Sequence, residues 1–152
     1  MTDRFDRFAA RGAPAPEPLT GGDWSARTGF ELGQRVADDP TVTAVFCAND
    51  HMALGLLRSL QQAGRRVPED VSVVGFDDIP EAEYFGPPLT TVRQHFDELG
   101  RRALSGLIGL IEGTTGTGRP GDHPVPRLSI EPSLVVRASA ARPRRPTTTR
   151  TN

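Results

Sequence analysis

One cysteine, Cys47, serves the whole chain of 152 residues, so no disulfide can close within it, and that points to a reducing, cytoplasmic setting. No run of about 18 apolar residues occurs, which excludes a membrane-spanning helix. The opening MTDRFDRFAARG alternates charge with aromatic residues and lacks the apolar stretch of a signal peptide. Lysine is absent, all 18 basic residues being Arg, a bias we assign to the coding of the source genome rather than to function. Aromatic residues are few: seven Phe, one Trp and one Tyr. Residues 1–137 carry 14 Arg against 19 acidic residues, whereas residues 138–152 carry four Arg and no acid. An acidic body argues against a nucleic-acid-binding domain, whose basic face is its electrostatic footprint. The expected division is a folded domain over 1–137 and a disordered basic tail over 138–152, because that tail has almost nothing to bury.

Catalytic signatures are also missing. There is no GxSxG elbow, and His51, His95 and His123 are not spaced as metal ligands. Gly116-Thr-Gly118-Arg-Pro-Gly121 matches GxGxxG, but it follows a helix instead of a strand, so the match is accidental. No enzyme activity, metal or cofactor is expected.

What is present is an alternation of helices and strands. Phe5 and Phe8, one turn apart, predict a short helix over 2–11, and a second helix is predicted over 25–38. TVTAVFCA (41–48) reads as a strand, and NDHMALGLLRSLQQAG (49–64) as a helix that Gly64 ends. VSVVGF (71–76) is an apolar run of the kind found in parallel sheets covered on both faces. LTTVRQ (89–94) is a further extended piece, 97–111 an apolar helix, and LVVR (134–137) a last strand. The pattern predicts an α/β fold with a parallel sheet, in which ligands bind beyond the carboxyl ends of the strands. Asn49-Asp50 and Asp77-Asp78 both stand there.

Adjacent carboxylates on an extended chain point to opposite sides, so Asp77 and Asp78 suit two separate tasks better than an acid–base dyad. Trp24, just before a helix, reads either as a hydrophobic staple, with Asp23 or Ser25 as the cap, or as an aromatic wall for a ligand. Phe96 raises the same choice between core and cleft. Leu54 lies off the main apolar face of its helix and is either a singly exposed leucine or a contact to a second copy.

GDWSARTGF, AVFCANDHMALGLLRSLQQAGRRVPEDVSVVGFDDIP and PPLTTVRQHFDELGRRA, in that order and spacing, resemble the effector-binding domain of LacI/GalR-type (lactose-repressor/galactose-repressor) regulators over residues 3–137. The resemblance implies a periplasmic-binding-protein-like (type I) fold, here mainly its C-terminal lobe and truncated, with a small sugar or nucleobase-like effector in the cleft. It implies effector contacts for Asn49 and Asp77, aromatic packing for Trp24 and Phe96, and a further contact for Arg4, although Arg7 replaces the glycine of the family's R-x-x-G-F element. Gln94 is a further candidate. Asp50 is then expected to cap its helix and Asp78 to bind backbone N–H groups. A homodimer is implied, with Leu54 and Phe85 as interface candidates, and operator DNA is met only through a helix-turn-helix headpiece that this chain lacks. By the family's topology the helix 97–111 belongs to the missing lobe, so its stripe of Leu99, Ala103, Leu107, Leu110 and Ile111 loses its partner. The rival expectations are a sugar-binding protein of a transport system, an enzyme using Asp77 or Asp78, and a non-functional truncated remnant.

Overall fold

The computed structural model describes residues 18–111 and 129–142. The expected helix at 2–11, Arg4, His123 and the 116–121 motif lie outside the described residues, as does the side chain of Leu110.

Helix α1 (Ala26–Asp38) starts where Ser25 Oγ accepts the Thr28 N–H. Asp23 buttresses that cap by accepting from the Thr28 hydroxyl at 2.8 Å and from the Ser25 N–H. Strand β1 (Ala44–Phe46) leads into helix α2 (Asp50–Gln62). α2 closes as a Schellman motif: Gly64, at φ 70°, donates to Gln61 O while Arg65 N–H reaches back to Leu60 O. Arg65 then clamps the α1–β1 connection by donating to the carbonyls of Ala37, Asp39 and Val42. Strand β2 (Ser72–Asp77), a short 3₁₀ turn (Pro80–Tyr84), strand β3 (Thr90–Arg93), helix α3 (Phe96–Ile111) and strand β4 (Ser133–Val135) follow. The sheet order is β1-β2-β3-β4, with β1, β2 and β3 parallel and β4 antiparallel to β3.

Helices α1 and α2 meet backbone against backbone at two glycines. A Cβ on Gly29 would fall 2.1 Å from Met52 O, and one on Gly55 1.9 Å from Ala26 O. Beneath α2, Ala53, Leu60, Val71, Val73 and Leu89 are wholly buried, and Leu56, Leu57 and Val36 nearly so. Each buried Leu or Val contributes about 1.5–3 kcal/mol relative to exposure. Phe85 joins this core, so it is unavailable as the dimer contact expected of it; the turn after β2 folds it inward against the cluster.

The other face of the sheet differs from the expectation of cover on both sides. Strand alternation puts Phe46, Val74, Phe76, Val92 and Leu134 on that face. Phe46 and Phe76 meet edge to face with ring centres 6.3 Å apart, yet Phe46 and Leu134 remain largely exposed, and no described helix covers them. α3 is likewise bare, with Leu99, Leu104, Leu107, Ile108 and Ile111 all exposed.

The boundary expected after residue 137 falls too early. Ser139 is fully buried, its hydroxyl donating to Val73 O at 2.6 Å and accepting from Thr90 N–H at 2.7 Å. Ala141 N–H donates to Ser72 Oγ, so 138–142 are fastened to β2 and β3 despite their unpromising composition.

Candidate functional site

The carboxyl ends of β1 and β2 lie side by side because Phe46 is in register with Val74. From β1 the chain passes directly to Asn49. Its Oδ1 accepts the Met52 N–H at 2.7 Å and so caps α2, while its Nδ2 donates to Trp24 O at 3.0 Å. A carboxamide carries two N–H donors and two lone pairs, so each end of Asn49 keeps hydrogen-bonding capacity beyond these two bonds. Trp24 is 53 % exposed. It is Ser25 that caps α1.

β2 ends at Asp77, whose Oδ1 accepts from Gln94 Nε2 at 2.8 Å. Gln94 follows β3, so this bond ties two strand ends together, and Phe96, 53 % exposed, opens α3 just beyond. An open depression of about 500 Å³ lies here, lined by Asp77, Arg93, Gln94, His95, Phe96 and Arg101 among others. Asn49 and Trp24 do not line it, so the candidates form two groups: Asn49 with Trp24, and Asp77 with Gln94 and Phe96.

Three residues of this region take left-handed backbone: Trp24 at φ 67°, Asp77 at 113° and Asp78 at 57°. Such conformations cost about 1–3 kcal/mol each for residues with side chains and persist only where neighbours over-determine them.

Two roles expected from sequence differ in the structure. Asp50 does not cap α2, since Asn49 already does. It is wholly buried and accepts from Thr91 Oγ1 at 2.6 Å and from the Ile79 N–H at 2.9 Å. Desolvation raises its carboxyl above the ordinary range, opposed by those two hydrogen bonds. Asp78 faces two guanidinium groups rather than backbone amides: it accepts a hydrogen bond from Arg93 Nε at 2.5 Å and forms an ion pair with Arg137 at 2.8 Å. Desolvation pushes its carboxyl upward, but the hydrogen bonds and charges of the two Arg side chains outweigh it and leave the pKa lowered. Neither Asp caps the 3₁₀ turn, which starts after Ile79 without a side-chain cap. Cys47 is buried, and desolvation together with the Asp50 charge moves its thiol up to about 12, so it is inert.

Arg137 and Ser139 carry contacts that sequence reasoning missed. An arginine directly after an apolar strand, in a chain with acids at strand ends, was the available signal for the first. For Ser139 no local signal existed.

A model of the periplasmic binding protein-like domain matches residues 4–140. The chain belongs to that family. Within it the chain is of LacI/GalR type, as its relatives show. It is 42% identical over 122 residues to the HTH-type transcriptional repressor PurR of Vibrio campbellii, covering 76% of this chain and 34% of that repressor. Among solved structures it superposes on the transcriptional regulator CelR in complex with cellobiose at TM-score 0.76 and 39% identity, over 89% of this chain and 40% of that one. It also superposes on the lac repressor dimer bound to operator and the anti-inducer ONPF at TM-score 0.73 and 33% identity, over 89% of this chain and 44% of that one. The chain thus spans about a third of the length of the PurR relative. The matched relatives are transcriptional repressors, and among the described residues no helix is long and apolar enough to cross a membrane.

Proposed function

We propose that the chain is the effector-sensing part of a LacI/GalR-type transcriptional repressor, binding a small polyol-like molecule, a sugar before a nucleobase, without chemically changing it. The observation that carries this reading is the delivery of Asn49 and Asp77 by adjacent parallel strand ends, Asn49 bonded to the main chain of half-exposed Trp24 and Asp77 sharing a depression with half-exposed Phe96. A polyol needs fixed donors and acceptors together with a flat apolar face, and these four residues offer both. The relative solved with cellobiose favours a sugar. An analogue lacking one hydroxyl leaves a buried partner unpaired, at a cost of about 1–3 kcal/mol, and that sets discrimination. Gln94 orients Asp77, and the resemblance of RFDRF to the family's R-x-x-G-F element supports Arg4 as a further effector contact. In the full-length protein, operator DNA is met by a helix-turn-helix headpiece and not by this acidic domain, in a cytoplasmic setting. A second copy pairs through the face of α2 that presents Leu54, which is 41 % exposed.

The test is thermal unfolding of the purified chain against a panel of sugars and nucleobases. A ligand at 100 times its dissociation constant adds about 2.7 kcal/mol to a folded binder. One responding sugar whose concentration stays unchanged on incubation supports a sensor. Product release overturns the non-enzymatic reading, and a folded chain blind to the whole panel overturns sensing by this part.

A further inference from the structure

Among the described residues Asp50 is the only charged residue fully withdrawn from solvent. Its own helix has no need of it, because Asn49 supplies the cap. Its two oxygens instead bind different elements. Oδ1 accepts from Thr91 in β3, and Oδ2 accepts from the backbone N–H of Ile79, two residues past Asp77. One carboxylate therefore fastens the start of α2, where Asn49 stands, to β3 and to the turn that leaves Asp77.

The surroundings are fitted to it. β2 passes closest at Gly75, where a Cβ would lie 2.1 Å from Asp50 Oδ1, so any larger residue displaces the carboxylate. The Asp77-Asp78 backbone is left-handed at both residues and needs an external restraint on its far side, which the Ile79 bond supplies. The carboxylate suits two donors: Thr91 can turn its hydroxyl to accept, but the Ile79 N–H can only donate.

We propose that Asp50 is a positioning residue of the effector site, holding Asn49 and Asp77 in mutual register through Thr91 and Ile79 without touching the effector. The proposal rests on the reading of the site given above, but its test needs no effector. The side-chain amides of Asn49 and Gln94, bonded to Trp24 O and Asp77 Oδ1, report the two halves of the site by NMR in the labelled full chain.

In Asp50→Ala both amide groups should exchange with water about fivefold faster than in the wild type, the size of one lost hydrogen bond. Asp50→Asn keeps an acceptor for Ile79 and a donor for Thr91, and should stay within about twofold of the wild type. Gly75→Ala, which changes no polar group, should behave as Asp50→Ala does. Leu60→Ala, in the same helix, should lower the melting temperature and leave both amides in place. The proposal is overturned if folded Asp50→Ala leaves the two amides unmoved, or if Leu60→Ala moves them equally. Where Asp50→Ala does not fold, the other pair decides: Gly75→Ala must move the amides and Asp50→Asn must not. A panel of sugars that gives no thermal shift counts against sensing and leaves this result standing.

Discussion

α2 and α3 are both leucine-rich amphipathic helices, yet one is the centre of the core and the other is bare. The stripe of α2 (Ala53, Leu56, Leu57, Leu60) is buried against β2, and its opposite shoulder meets α1 at glycine contacts too close for any side chain. The stripe of α3 (Leu99, Leu107, Ile111) meets none of this. Amphipathic spacing declares that a face is built for burial; it does not say what will cover it.

The sharpest way to break the comparison is one truncation made twice. Leu60→Ala should cost about 2–5 kcal/mol in urea unfolding, the range for a wholly buried leucine. Leu107→Ala should stay within about 0.5 kcal/mol and reduce binding of a hydrophobic dye. Equal costs would mean that α3 is covered in solution. Next in size, Ser139→Ala strips the partner from Val73 O and Thr90 N–H, and should cost about 1–3 kcal/mol, which would place 138–142 with the covered region.

A subtler contrast lies between Asp50 and Asp78. The pKa of Asp78 is lowered on folding, so its charge contributes stability above the unfolded value of about 3.9 and that contribution is lost as the pH falls through the lower folded value. Asp50 has the opposite sign: its raised folded pKa makes the charged form costly at neutral pH, and the cost is relieved as the pH falls through that value. Urea titrations between neutral pH and about pH 3 should therefore show Asp78→Asn flattening the acid loss, and Asp50→Asn removing a gain on mild acidification. The smallest expected effect is Leu54→Glu, near zero on monomer stability, with a fall in the dimer fraction by sedimentation.

Much of the framework was legible because it follows local rules. The polar residues that start α1 and α2, the stop at Gly64 and the apolar run of β2 each declare themselves within a few residues, though not which of Asp23 and Ser25, or of Asn49 and Asp50, makes the cap. The misreadings were those whose partners are far away in sequence. Asp50 reads as a cap because it stands beside one, whereas its partners are 29 and 41 positions along the chain. Asp78 reads as a partner of backbone amides, whereas Arg137 lies beyond the next two strands. Phe85 beside Gly-Pro-Pro looked like surface, and Ser139 in an Arg/Pro-rich tail looked like disorder.

From the sequence alone came the α/β class and the order of the described elements, since periodicity and capping are properties of neighbouring residues, while the family came from the resemblance of its motifs. Only the tertiary structure decided which polar group at each strand end is buried and which faces outward. It also decided that Gly75 makes room for Asp50 and that one apolar helix is sheltered while another stands open. Those outcomes depend on which distant atoms the fold brings within hydrogen-bonding or van der Waals reach, and no local pattern encodes them.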